Sequence, residues 1–278
     1  MLMMRQDRPR RFGREFLFAL GGCDRPDWTT RRAIMLQRQM DARLCAIAVG
    51  ASDSRVDELV EAIGVWRDVE RIERGDWARA TAELADGFRY PLLLVGHASR
   101  TTVEHQLRGT EVERLLRVSN RPVLVVKAEP VEHYRTALVA TALTRSSMNA
   151  ALTASRLFPG VGLQLVSSIH APFESFLDRK TMLPELRAER MAAMRSSAIS
   201  LAQEAKRRVS AEVIEGDFPF AIAAKAQADG ADLLVIGCRF SKLFQSWRRR
   251  RALDLVAASA VDVLLVPHPA PEAVRNNP

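Results

Sequence analysis

The chain repeats itself at half its own length. Tyr90-Pro-Leu-Leu-Leu-Val-Gly96 matches Ala231-Asp-Leu-Leu-Val-Ile-Gly237, and Arg121-Pro-Val-Leu-Val-Val126 matches Val261-Asp-Val-Leu-Leu-Val266. The offsets are 141 residues (90 to 231) and 140 residues (121 to 261) in a chain of 278. A repeat at this period reads as a duplicated unit, so two similar domains are expected rather than one large one. Glu15-Phe-Leu-Phe-Ala-Leu20 pairs with Thr136-Ala-Leu-Val-Ala-Thr141 at a shorter offset. The second half therefore carries an insertion between its early and late strands.

Within each half, short apolar runs alternate with segments of helical period. Runs of four to seven apolar residues suit strands buried on both faces, and strand–helix alternation suits a parallel sheet. The first half predicts strands near 15–20, 43–49, 69–73, 91–96 and 122–127, with helices near 28–40, 53–65, 76–87 and 110–119. The second predicts strands near 136–141, 162–168, 210–215, 232–237 and 262–266, with helices near 146–157, 185–208, 218–229 and 249–259. The fold class that follows is α/β: two doubly wound domains, each a five-stranded parallel sheet with helices on both faces. Domain 1 is expected over 14–128 and domain 2 over 135–268, joined by a linker at 128–134.

Pro184 fits the first turn of the long helix of the second half. Met191, Met194, Ala198, Leu201 and Ala205 recur along it at spacings of three and four, which marks a packing face. Arg187, Arg190, Arg195, Arg207 and Arg208 decorate the same helix, most of them as solvated charges whose aliphatic stems cover apolar surface.

Three scattered cysteines, Cys23, Cys45 and Cys238, make no disulfide framework and point to a reduced, cytoplasmic compartment. The five histidines show no metal-ligand spacing. No apolar run approaches the roughly 20 residues that span a bilayer. Arg8, Arg10, Arg11 and Arg14 precede an apolar stretch at 16–22, but Glu15 abuts it and it is short for an exported leader. A buried strand explains the same residues.

The sharpest chemical pattern is Gly96-His97-Ala98-Ser99, which follows a strand, and Gly109-Thr110, which opens a helix. Small residues at both places let backbone N–H groups approach a phosphate, and the helix dipole adds to the attraction. The same residues have a ligand-free explanation. Thr110 and Glu113 spell a capping box, and Gly109 permits a turn.

A strand ending in glycine, the G-x2-S-x9-G-T pattern, a helix, and the closing Pro122-Val-Leu-Val-Val126 strand resemble the universal stress protein family. The two halves together resemble a tandem of such domains. The resemblance implies a five-stranded parallel sheet, dimer-like pairing of domains, and ATP or a related adenine nucleotide in some members. It assigns cofactor contacts to Gly96, Ser99, Gly109 and Thr110, in the first domain only, and His97 is a further candidate contact by its place inside the glycine loop. Ser99 stands where the family carries glycine. Nucleotide-binding members also carry an aspartate at the end of the first strand. Gly21 and Ala142 fall there instead, with Asp24 three residues beyond Gly21. In the second half Phe240 replaces the second small residue, and arginines among 249–251 fall on the Gly-Thr position. A bulky ring and guanidinium groups do not let backbone approach phosphate in the same way.

Charge concentrates in Trp247-Arg248-Arg249-Arg250-Arg251, within a chain of 41 Lys plus Arg against 33 Asp plus Glu and a net +8. Such a run reads as a solvated helix start, an anion patch, or an arginine reaching toward the other half. Nucleic acid is the weakest of the partners considered, because acidic residues are spread through both halves. No GxSxG elbow, Walker A lysine or Cys–His pair supports a dedicated enzyme, although slow nucleotide hydrolysis stays open. Ser146 and Ser147 read as a helix cap. The competing functions are a nucleotide-binding stress-response module and a nucleotide-free scaffold for an unidentified protein partner. Pairing of the two domains is expected, within or between chains.

Overall fold

A computed structural model describes residues 15–20, 23–49, 69–72, 76–98, 110–169, 179–238 and 247–267. In chain order the first half comprises β1 (Glu15–Leu20), α1 (Pro26–Gln39), β2 (Arg43–Val49), β3 (Val69–Ile72), α2 (Trp77–Phe88), β4 (Leu93–Gly96), α3 (Glu111–Val118) and β5 (Val123–Val126). The second comprises β6 (Thr136–Ala140), α4 (Arg145–Leu157), β7 (Gly162–Ile169), α5 (Arg179–Ala205), β8 (Val209–Glu215), α6 (Phe220–Ala228), β9 (Leu233–Cys238), α7 (Trp247–Ala258) and β10 (Asp262–Pro267). The helix expected over 53–65 lies outside the described residues.

All ten strands share one sheet, in the order β3-β2-β1-β4-β5-β10-β9-β6-β7-β8. Every pairing within a half is parallel. The single antiparallel pairing sets β5 against β10, with Val123, Leu124 and Val125 opposite Leu265, Leu264 and Val263. The two expected five-stranded sheets are thus fused edge to edge. The reason is local: every residue of β5 and the first five of β10 are buried. An apolar edge strand with unpaired backbone groups needs a partner, and each strand supplies the other's.

Two apolar layers run through both halves, one on each face of the sheet. One joins α1, α4 and α5 through Leu36, Ala150, Ala154, Met194 and Leu201. The other joins α2, α3, α6 and α7 through Trp77, Leu115, Ile222 and Leu255. The stripe on α5 faces this core as expected, with Met194, Ala198 and Leu201 buried and Met191 and Ala205 packed beside them. Helix α5 begins at Arg179, earlier than expected, so Pro184 lies inside it instead of in its first turn. Proline lacks a backbone N–H, which removes one helical hydrogen bond without ending the helix this near its start. Arg207 is not a free surface charge. Its guanidinium donates to the carbonyls of Phe158, Pro159 and Val161 and closes the turn before β7.

Candidate functional site

In each half the chain winds outward from its first strand in one direction and from its fourth in the other, so β1/β4 and β6/β9 are the points where strand order reverses. Crevices at the carboxyl ends of such strands are where open α/β sheets hold ligands. Gly96 ends β4, and the chain after β1 folds back onto it. The Asp24 N–H donates to the His97 carbonyl at 2.9 Å, and the His97 N–H donates to the Val126 carbonyl at 2.9 Å. These bonds tie together the tips of three neighbouring strands of the sheet, β1, β4 and β5.

Gly96 leaves no room for a side chain. A Cβ there would meet Thr29 Oγ1 at 2.4 Å and Cys23 Cβ at 2.5 Å. Thr29 in turn is fixed by donating to the Arg25 carbonyl at 2.9 Å. Burial pushes the Cys23 thiol above its ordinary pKa, so it stays protonated and packs as an apolar group. His97 is half-buried, and its imidazole pKa is lowered, first by burial and then by the positive charge of Lys127. Asp24 and Glu113 act on it in the opposite sense, which places both carboxylates in its surroundings.

Thr110 is the N-cap of α3: its hydroxyl accepts from the Glu113 N–H at 3.2 Å. The Thr110 half of the expected capping box is therefore present. Glu111 in the same turn is neutralised by Arg114, which also lies 3.6 Å from Asp76. Of the five sequence-derived positions, Gly96, His97 and Thr110 are described, and Glu113 in the first turn of α3 acts electrostatically on His97. Ser99 and Gly109 lie outside the described residues.

Two residues join the site that motif reading did not assign to it. Asp24 was noted only as displaced from the end of the first strand, yet its backbone bond docks it on His97. Lys127 carries no motif signal. Its ammonium donates to the carbonyls of Val256 and Ala257, at the carboxyl end of α7 in the other half. Burial there pushes its pKa down to about 8.

The second half repeats the packing and changes the chemistry. A Cβ on Gly237 would meet the Ser146 carbonyl oxygen at 2.3 Å and its carbon at 2.6 Å. Thr144, not Ser146 or Ser147, is the N-cap of α4. Ser147 completes a capping box with it, because Thr144 accepts from the Ser147 N–H and the Ser147 hydroxyl accepts from the Thr144 N–H. Thr141, which precedes the alanine where an aspartate would be expected, donates to the Ser147 hydroxyl at 2.8 Å. The arginine run opens α7, as the charge pattern suggested. Arg251 lies 3.8 Å from Asp217 and over the ring of Phe218 at 5.8 Å, both in its own half. Phe240 and the side chains of Arg248, Arg249 and Arg250 lie outside the described residues.

Among the described residues, no group of three or more His, Cys, Asp or Glu side chains is placed to hold a metal ion. Cys23, Cys45 and Cys238 are free thiols. No described helix is long and apolar enough to cross a membrane.

Residues 24–127 match the model of the universal stress protein family. That match takes in most of the first half of the chain. Solved structures extend the likeness in fold to both halves. A universal stress protein from Archaeoglobus fulgidus DSM 4304 superposes with a TM-score of 0.60 and 15% identity, over 91% of this chain and 96% of that one. A functionally unknown protein from Pseudomonas aeruginosa PAO1 gives 0.64 and 14% identity over 92% of each chain. No curated protein matches the sequence. The universal stress protein match ends at Lys127, the residue that reaches across to α7.

Proposed function

We propose that the chain is a stress-response protein of the universal stress protein type, a tandem of two such domains spanning about 14–128 and 135–268. In this reading the first domain binds ATP or a related adenine nucleotide and the second does not. The observation that carries it is the spacing of Gly96, Ser99, Gly109 and Thr110 between the end of β4 and the first turn of α3. Small residues at both ends of the motif leave backbone N–H groups open to a phosphate, and the positive end of α3 adds its attraction. The Arg114–Glu111 pair removes one of the two negative charges that would oppose an anion at this turn. His97, held mostly neutral at pH 7, offers a polar ring rather than a charge, and Asp24 supplies a carboxylate at the same strand tips. The role is binding rather than catalysis, with hydrolysis slow at most, in the cytoplasm, where the three thiols stay reduced.

A specific observation favours a second reading, a nucleotide-free scaffold of the same fold. Gly237 is required by packing in a half whose loop has lost the motif, so packing alone also suffices for Gly96. Equilibrium dialysis of the full chain against labelled ATP up to millimolar concentration separates the two. Saturable binding that Gly109→Arg abolishes without changing the circular dichroism spectrum supports the nucleotide reading. No saturable binding favours the scaffold.

A further inference from the structure

The seam between the halves is not symmetric. On one side stands Asp262, the first residue of β10, fully buried. One of its carboxylate oxygens accepts from the Lys127 N–H at 2.7 Å and the Ala128 N–H at 2.9 Å. The other accepts from the Tyr134 hydroxyl at 2.5 Å and lies 2.9 Å from Arg32 Nε, a charge-to-charge contact off the hydrogen-bond line. Arg32, on α1 of the first half, is itself only 5% exposed at its side chain. Its guanidinium also covers the Tyr134 ring at 4.4 Å, and Tyr134 meets Phe158 edge-on at 5.4 Å.

The internal repeat identifies what stands at the mirror position. Pro122 corresponds to Asp262 at the 140-residue offset. Sheet register agrees, because Leu93 pairs with Val123 as Leu234 pairs with Val263. Helix α4, the counterpart of α1, buries only serine, alanine and leucine side chains, among them Ala150, Ala151 and Ala154, whereas α1 buries Arg32. The cation is present only on the first half and the carboxylate only on the second.

We infer that Arg32 and Asp262 specify which halves pair at the β5–β10 seam: the first with the second, and not two copies of either. Pairing of two first halves would set each Arg32 against a proline and leave a guanidinium buried without its counter-charge. Pairing of two second halves would set each Asp262 against the alanine face of α4. A buried charge without its partner is far costlier than a buried pair, so the like–like seams are disfavoured although their strands are equally apolar. The segment between the halves adds the choice of copy. Arg31 holds Glu129 at 2.9 Å, Arg32 donates to the Glu132 carbonyl at 2.8 Å, and Gln39 donates to the Tyr134 carbonyl at 3.2 Å. These bonds lash the segment along α1 and deliver Tyr134 to Asp262 of the same chain. The surface fits one partner, the other half of its own chain, and excludes a second copy.

The test uses the full chain in three forms: native, Asp262→Asn, and Arg32→Met with Asp262→Asn. Asparagine keeps an acceptor for the two backbone N–H groups, removes the charge, and presents an amide N–H to the Tyr134 hydroxyl, whose oxygen can accept it. Each form is unfolded, refolded at increasing protein concentration and sized by light scattering, and its denaturation midpoint is measured. The native chain should refold to monomer at every concentration. The single variant should lose midpoint, and the double variant should match or exceed the single one. The double variant should also give oligomers whose share grows with concentration, because like halves can now pair. Three results overturn the inference: a double variant less stable than Asp262→Asn, including one that does not fold; a double variant that refolds as cleanly as the native chain; or oligomers from the native chain itself.

Discussion

The tips of β4 and β9 meet one packing demand with different neighbours. Gly96 lies under the side chains of Cys23 and Thr29, whereas Gly237 lies under the main chain of Ser146. In both halves the glycine is needed so that the helix after the first strand can close on the sheet. The strand-end glycine therefore does not separate a binding half from a non-binding one. What differs comes after it: Ser99 and Gly109-Thr110 in the first half, Phe240 and the arginines of α7 in the second.

The comparison breaks most sharply at the two glycines themselves. Gly237→Ala forces a methyl group onto a backbone carbonyl, which cannot rotate away, and should cost about 3 kcal/mol or more of unfolding free energy. Gly96→Ala strikes Cys23 Cβ, which moves only with its main chain, and Thr29 Oγ1, which can rotate away by giving up its bond to Arg25, so it should cost somewhat less, about 2–3 kcal/mol. Chemical denaturation of both variants checks the order, and equal losses would mean that the two contacts are equivalent. Thr110→Ala removes the N-cap of α3 and should cost about 1 kcal/mol in the same measurement. In the nucleotide reading it also weakens binding, whereas Thr144→Ala should cost a similar amount of stability and leave binding unchanged.

The smallest effect concerns pH. Lys127 has a folded pKa of about 8 against an ordinary value of 10.5. Between those values the unfolded chain binds more protons than the folded one, so stability should rise with pH through that window. Solvent screening of this partly exposed amine limits the gain to about 1 kcal/mol. Its counterpart in the repeat is Pro267, which cannot titrate. Lys127→Met should flatten the pH dependence, and a slope that survives the substitution would assign it to another group.

Strand positions were legible because continuous apolar runs such as Leu92–Val95 and Val263–Val266 have few alternatives to a doubly covered sheet. The start of α5 was not, because Pro184 reads as a boundary while the helix holds through it. Tyr134 read as part of a linker, since a single aromatic in a polar stretch has no periodicity. Its burial depends on Asp262, 128 residues away. Asp262 itself reads as one polar residue at the start of a strand, and the pairing of β5 with β10 is what gives its carboxylate partners. For the candidate site, the spacing of small residues was visible, and so was the cap at Thr110. The docking of Asp24 on His97 was not, because a backbone bond between two loops leaves no mark on residue type.

The central claim is that one half binds adenine nucleotide and the other does not. The most direct measurement is the stoichiometry of labelled ATP bound to the full chain at saturation, by equilibrium dialysis. One nucleotide per chain, lost in Gly109→Arg and kept in Arg251→Ala, is the expected result. Two per chain would contradict the distinction between the halves, and none at millimolar ATP would contradict binding altogether.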